Sequence, residues 1–488
     1  MNHQVRRLGV ALMALFVALF AQLNYVQVVR AGKLNRDPRN TRVATRDFAR
    51  ARGFVQTADG VVIARSVATS DTFKRRREYP ERDLFAHITG YFSFTFGTEG
   101  VERTYNDELA GRDVNVQLRR PSDLGKALLG GEQSTGNITL SVSKRLQQVA
   151  RDALGPRRGS VVALNPQNGE ILAMWSFPSY DPNPLSDHSQ EVVRTAWQHL
   201  QTDATQPLLP RAYRRRYAPG STFKVVTASA ALDRKPELAT KAYPVLNKLD
   251  LPQSTRSLPN FGGGRCGGTL PQLLKVSCNT GFAQMGLDLG ADNLVGEANA
   301  FGFNQRPPLD EPVVASSAFP DAASFRRNLP ALAQSAIGQQ DVAATPLQMA
   351  LVAAAIGNHG IAMKPHVMRE IRDDQGGKVG GYDVGEWIKA TSPETAAAVR
   401  DMMIGVVNGG TATRAAIPGI QVAAKTGTAQ TTGNDAHAWL IGFAPADNPT
   451  VAVAVIVESQ PGVSEATGGR VAAPIARTVM QAALSGAP

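Results

Sequence analysis

The 488-residue chain has only two cysteines, Cys266 and Cys278, and seven histidines scattered along its length. No His-Glu-x-x-His or Cys-x-x-Cys pattern occurs, so metal chemistry is not expected. A phosphate-cradling Walker motif and a dinucleotide-binding fingerprint are both missing, and no cofactor is implied. No repeats or low-complexity tracts stand out. Basic residues outnumber acidic ones, 52 to 41, for a net charge of +11. Yet no compact Lys/Arg stripe with interleaved aromatics marks a nucleic-acid surface, and nucleic acid is not an expected partner. The densest basic cluster is Arg211 with Arg214-Arg215-Arg216. It reads either as a solvated loop or as a patch drawn to an anionic cell envelope. With 43% hydrophobic and 19% charged residues, wholesale disorder is excluded. The length predicts two or three domains.

Long apolar runs are scarce as well. One, from Leu8 to about Val29, follows Arg6-Arg7 and is interrupted late by Gln22, Asn24 and Gln27. It has the roughly 20 residues that a membrane-spanning helix needs. Basic residues before the run put residues 1–7 inside and the bulk of the chain outside the plasma membrane. The rival is a cleaved signal peptide ending at Val29-Arg30-Ala31, but such peptides have apolar cores of only about 7–15 residues. An uncleaved anchor over 8–29 is the expectation.

What the chain does have is Ala218-Pro219-Gly220-Ser221-Thr222-Phe223-Lys224, followed by a small apolar run from Val225 to Leu232. Pro-Gly signals helix entry, which predicts Ser221 in the first turn of a buried helix. Residues three apart share a helix face, so Ser221 and Lys224 can meet. At a helix N-terminus, free N–H groups and the dipole favour developing negative charge. A serine beside an amine base there is a nucleophile arrangement for acyl transfer. Taken alone, the pair also fits a capping serine and a surface lysine.

In chain order, residues 31–50 read as a polar linker. Phe54-Val55-Gln56 and Val61–Ala64 read as a hairpin turning through Asp59-Gly60. Residues 121–136 are rich in Gly and Ser and are expected to be exposed. A strand over Asn137–Ser141 precedes helical spacing over Val142–Leu154, which Gly155-Pro156 stops. Gly159–Met174 reads as a hairpin through Asn168-Gly169. Further strands are expected over Gln421–Gln430, Trp439–Phe443 and Val451–Glu458, with a closing helix over Val471–Leu484. Residues 432–435 read as a loop. A closing helix beside an antiparallel sheet, with a helical region inserted before it, makes an α+β layered fold.

Two later stretches give Ser221 its context: Ser277-Cys278-Asn279 and Lys425-Thr426-Gly427-Thr428. The ordered set S-x-x-K, S-x-N, K-[TS]-G is the signature of penicillin-binding proteins and serine β-lactamases. Gly97-Thr98-Glu99-Gly100-Val101-Glu102 and Leu109-Ala110-Gly111 also resemble the non-catalytic module of class B penicillin-binding proteins, as does Arg52-Gly53 ahead of the hairpin. Ile337-Gly338-Gln339 and Thr345–Ala350 resemble a stretch of their transpeptidase domains. The chain thus resembles a class B penicillin-binding protein over nearly its whole length. That resemblance implies a pedestal over 30–154 and a transpeptidase domain over 155–488, with an antiparallel sheet between helical layers. It implies a D,D-transpeptidase that cross-links peptidoglycan stem peptides, a β-lactam target with a role in cell-wall synthesis and cell division. Expected partners are stem peptides and lipid-linked precursors, with a glycosyltransferase in a division or elongation complex.

On this reading Ser221 attacks the penultimate D-Ala carbonyl and Lys224 takes its proton. Bringing a lysine from about 10.4 to near 7 corresponds to roughly 4–5 kcal/mol of destabilised charge. Burial supplies part of that, and Lys425 is the candidate second cation. Ser277 can relay the proton to the leaving amine, and Asn279 can hold Lys224 and a substrate amide. Gly427 admits a substrate backbone, and Thr426 and Thr428 share the face that binds a carboxylate. The backbone N–H groups of Ser221 and Thr428 would form the oxyanion hole. His437, near the third motif, reads as a rim residue.

A β-lactamase would need a deacylating base, and no Glu-x-x-Leu-Asn follows the second motif. A D,D-carboxypeptidase shares all three motifs. A β-lactam sensor would need a cytoplasmic effector, and a purely structural partner would not need intact motifs. The two cysteines, both expected outside the membrane, predict a disulfide between Cys266 and Cys278 that steadies the second motif from behind. The alternative is two buried thiols.

Overall fold

The computed structural model describes residues 2–26, 48–113, 134–311, 313–430, 436–459 and 467–486. The chain divides into two units: one holds residues up to Ala51 together with Ser66–Arg76, the other Arg52–Arg65 and everything from Arg77 on. In the first unit, helix α1 spans Asn2–Asn24, beginning upstream of the expected start at Leu8. Its stretch His3–Asn24 has a mean hydropathy of 1.7 and is long and apolar enough to cross a membrane. The last residues of the expected anchor, most of the 31–50 linker, residues 121–133 and the 432–435 loop lie outside the described residues.

The second unit begins at Arg52 and soon turns through Asp59-Gly60. Strand β1 (Val55–Gln56) runs antiparallel to β2 (Val62–Ala68), with Val55 opposite Ala64. A parallel strand β3 (Asn137–Leu140) flanks β1. Beneath them the Glu102 carboxylate is fully buried between two guanidiniums, Arg52 at 2.9 Å and Arg77 at 2.5 Å. Gly100 has φ +60, and a Cβ there would lie 2.6 Å from the nitrogen of Gly90. That crossing requires the second glycine of Gly97-Thr98-Glu99-Gly100.

Helix α2 (Lys144–Leu154) starts two residues later than Val142, where the Ser143 hydroxyl caps the N–H of Leu146. It packs on β5 and on the last helix of the chain. The expected division at 154/155 therefore falls between a helix and a sheet that pack together. That sheet is five-stranded and antiparallel. Its strands β4 (Gly159–Leu164) and β5 (Ile171–Phe177) form the expected hairpin. The Ser221 helix α3 (Lys224–Arg234) follows, then α4 (Leu270–Val276) and α5 (Asn279–Leu289). Helix α6 (Pro346–Gly357) is buried almost all round, so its sequence is apolar without a polar stripe.

Strand β6 (Met368–Arg372) comes from far along the sequence and pairs antiparallel with β3. The Tyr105 hydroxyl also donates to Asp310 at 2.7 Å, and Arg214 pairs with Glu99. Elements before and after residue 155 thus share a sheet and part-buried polar contacts rather than meeting end to end. After helix α7 (Pro393–Val407) come β7 (Ala423–Gln430), β8 (Ala436–Ala444) and β9 (Val451–Val457). The sheet order is β7-β8-β9-β4-β5. Every residue of β9 is buried. Helix α6 packs against it, as does α8 (Ala473–Ser485), which leans on α2. Strands covered on both faces read as continuous apolar runs, as Val-Ala-Val-Ala-Val-Ile-Val does here.

Candidate active site

The approach to Ser221 is held by backbone contacts from three directions. Tyr217 exchanges hydrogen bonds with Ala344, Trp439 Nε1 donates to Ala218 O at 3.0 Å, and Gly220 N donates to Gly338 O at 2.9 Å. Gly220 has φ +54, and a Cβ there would come within 2.8 Å of Thr428 O. Only glycine lets this turn lie against the strand bearing the third motif. Ser221 sits in a 3-10 turn, Gly220–Phe223, and Lys224 opens the α-helix. The expected first turn is therefore tighter than an α-turn. Lys224 Nζ donates to Ser277 O and Asn279 Oδ1, each at 2.7 Å.

Ser277 joins α4 to α5 in the left-handed region, φ +59 and ψ +43. A residue with a Cβ pays about 1 kcal/mol or more for that state. The turn brings Ser277 O and Oγ toward one side, with Asn279 in the first turn of α5. Ser277 Oγ lies 3.4 Å from Lys224 Nζ and 2.8 Å from Lys425 Nζ, so one hydroxyl sits between two amines. Lys425 also donates to Thr426 O at 2.9 Å. Both lysines are fully buried. Burial, and then the neighbouring Lys425, holds the Lys224 amine well below the usual lysine range. Burial alone brings Lys425 down to about 7. A neutral amine can accept a proton, and Ser277 Oγ is in reach of both amines.

These groups stand at a cleft of about 1310 Å³ lined by Ser221, Ser277, Asn279, Thr426, Gly427 and Thr428. The structure brings together all eight residues expected from the three motifs, with the two lysines buried behind the cleft wall. One expected contact differs. The Asn279 amide donates to Pro259 O at 3.3 Å while its oxygen takes Lys224. Thr411, to which the sequence assigns no role, places its hydroxyl 2.6 Å from that of Thr426. It lies in the Gly409-Gly410-Thr411-Ala412 stretch before the third motif, but nothing local to it signals contact with residue 426.

Cys266 and Cys278 are joined, with Cα atoms 5.8 Å apart. Cys278 is buried and caps α5. Cys266 lies on a short strand, Cys266–Gly268, paired with Tyr243–Leu246. Neither short strand was foreseen. Asn260 reinforces the junction: its Oδ1 accepts from Thr280 N at 3.0 Å, and its Nδ2 donates to Leu246 O and Gly264 O.

The basic cluster is not a solvated loop throughout. Arg211 is 2% exposed, donating through Nε to Glu458 Oε1 at 2.9 Å, and the Tyr217 hydroxyl donates to the same oxygen at 2.7 Å. Arg214 pairs with Glu99, while Arg215 and Arg216 are exposed. His437 stands edge-on to Tyr217, and its Nδ1 accepts from Ser459 N. Burial lowers its pKa. Among the described residues, no three His, Cys, Asp or Glu side chains converge to hold a metal ion.

The whole chain aligns with known proteins. Residues 159–481 match the family described as penicillin binding protein transpeptidase domain. Residues 52–138 match penicillin binding protein A dimerisation domain. The chain belongs to the penicillin-binding protein transpeptidase family. It is 42% identical to peptidoglycan D,D-transpeptidase PbpA of Mycolicibacterium smegmatis, covering 99% of each chain. It is 40% identical to PbpA of Mycobacterium tuberculosis over all of both chains. Among solved structures, it resembles the ceftriaxone acyl-enzyme complex of M. tuberculosis penicillin-binding protein A. That match has TM-score 0.84 and 38% identity, covering 90% of this chain and 100% of the other. The transpeptidase-family match opens on β4 and closes within α8, so it takes in all three motifs. The dimerisation match runs from Arg52 into β3 and includes the Glu102 ion-pair triad.

Proposed function

We propose that this chain is a peptidoglycan D,D-transpeptidase whose acyl-enzyme forms at Ser221. The observation that carries this is Ser277 Oγ between two buried amines, beside a cleft that holds Ser221. Lys224, kept from protonation, removes the Ser221 proton as Oγ attacks the penultimate D-Ala carbonyl of a stem peptide. The backbone N–H groups of Ser221 and Thr428 receive the developing oxyanion. The peptide C–N bond breaks, and D-Ala leaves with a proton relayed through Ser277 from the lysine pair. An amine of a second stem peptide then attacks the ester, forming the cross-link and returning the proton to Ser221. Thr426 and Thr428 hold the terminal carboxylate. Asn279 fixes Lys224, and Gly427 gives the substrate backbone its close approach. A β-lactam would acylate the same serine.

Domain roles follow the expected division: residues 1–7 inside the cell, 8–29 as a single-pass plasma-membrane anchor, 30–154 as a pedestal and 155–488 as the catalytic part outside. Such an enzyme takes lipid-linked precursors or nascent strands made by a glycosyltransferase in the same division or elongation complex. The test is labelling with a tagged penicillin, followed by peptide mapping and intact-mass measurement over hours. The adduct should map to the peptide bearing Ser221, vanish in Ser221→Ala and persist. Labelling that survives Ser221→Ala refutes the nucleophile. Turnover of penicillin within seconds would make the protein a β-lactam hydrolase instead.

A further inference from the structure

The charge of the cleft is one-sided. Arg256, Arg265, Arg414 and Arg470 line it, and among the described residues no aspartate or glutamate does. Arg256 and Arg414 are exposed and form no ion pair among the described residues. They come from two different segments of the lining. Arg256 precedes the short strand Ser257–Pro259, whose Pro259 carbonyl accepts from Asn279. Arg414 lies in the turn Thr413–Ala415, three residues after the Thr411 that contacts Thr426. A single terminal carboxylate, with Thr426 and Thr428 already at hand, does not require these guanidiniums as well. Apolar Val245 and Phe261, 56% and 65% exposed, line the same cleft. Together they fit an anionic peptide better than a uniformly charged polymer.

We propose that Arg256 and Arg414 are specificity-determining residues that select stem peptides bearing a carboxylate in addition to the terminal one. This rests on the transpeptidase reading. Guanidinium meets carboxylate in a two-pronged geometry that a carboxamide cannot match. Because both arginines are solvated, the preference should be moderate, about five- to twentyfold, and should weaken with salt.

The probes are two N-acetylated peptides ending in D-Ala-D-Ala, identical except for glutamate or glutamine at the preceding residues. Binding is measured by calorimetry and D-Ala release by kcat/KM, for the wild type and the Arg256→Gln, Arg414→Gln double variant. The wild type should favour the glutamate peptide about tenfold in both readouts. In the double variant the ratio should fall close to one, through a higher KM for the glutamate peptide. Equal use of both peptides by the wild type overturns the inference, and so does an undiminished ratio in the variant. If neither peptide releases D-Ala but the binding preference behaves as stated, the transpeptidase reading fails and the carboxylate selectivity stands.

Discussion

Lys224 Nζ donates to Asn279 Oδ1 at 2.7 Å, so the second motif fixes the position of the amine of the first. The contact also controls the charge that Lys224 carries. A neutral amide oxygen accepts a hydrogen bond without strongly favouring the ammonium. Asn279→Asp would put an anion at the same distance and favour the protonated lysine. The pKa of Lys224 should then rise, and penicillin acylation at pH 7 should fall about 10- to 100-fold. The ascending limb of the acylation pH profile should move to higher pH. An unmoved limb in a variant with wild-type melting temperature would remove Lys224 as the base.

Lys425 makes a complementary prediction. Its charge disfavours the protonated form of Lys224, and burial brings its own pKa to about 7. The electrostatic help exists only while Lys425 is charged, that is, below about pH 7. In Lys425→Gln the Lys224 pKa should rise, moving the ascending limb to higher pH. The rate deficit relative to the wild type should be largest below pH 7 and narrow above it. Stopped-flow acylation from pH 5.5 to 9 measures this. A deficit that is constant with pH would mean that Lys425 acts through its hydrogen bond to Ser277 alone.

The three motifs were legible because their chemistry needs specific residue types at short spacing. The sheet was legible because strands buried on both faces carry unbroken apolar runs. What was not legible depends on pairs far apart in the chain. Arg211 looked solvated from its neighbours Arg214–Arg216, but its partner Glu458 is 247 residues away. The pairing of β3 with β6 cannot be read from either strand, since register is set by the tertiary packing that brings them together. The short strands 243–246 and 266–268 hide in a stretch rich in glycine and polar residues, where pattern carries little signal. Thr411 fits neither the helix nor the strand beside it, and only the closed cleft reveals its contact with Thr426.

Glu102 offers a stability test in the segment that matches the dimerisation family. Burial pushes its carboxyl up, but Arg77 and Arg52 outweigh that and hold it below the usual carboxylate range. A folded value below the unfolded one contributes stability above about pH 4.3, lost as pH falls through the folded value. Glu102→Gln keeps the shape and removes the buried anion between the Arg52 and Arg77 guanidiniums. It should cost about 3–5 kcal/mol in urea unfolding at pH 7. The gap should shrink as pH falls below about 4.3 and through the lowered folded value at which the wild-type carboxylate takes up its proton. A variant as stable as the wild type at pH 7 would show that the triad is not a source of stability.

The disulfide links stability to catalysis at one residue. Cys278 follows Ser277, whose left-handed backbone persists only if its surroundings hold it there. Two restraints do so from behind: the bond to Cys266, and Asn260, which accepts from Thr280 N and ties down Leu246 and Gly264. The bond closes a loop with a sequence separation of 12. On the chain-entropy account that is worth about 3 kcal/mol, though the mechanism of such stabilisation is debated. A Cys266→Ser, Cys278→Ser double variant should therefore lose about 2–4 kcal/mol in reversible unfolding. The catalytic consequence is separable, because Asn260 remains. If the disulfide only stabilises the fold, the acylation rate at 20 °C will match the wild type. If it also holds Ser277 between the lysines, acylation should slow about three- to tenfold, a shift of roughly 1 kcal/mol in the barrier. The ascending limb of the pH profile should broaden as Lys224 samples more than one set of partners. An Asn260→Ala variant that keeps the bond should show a similar kinetic loss, and combining the two changes should cost more than the sum of the parts. Simple additivity would mean that the two restraints act on Ser277 independently rather than as one support.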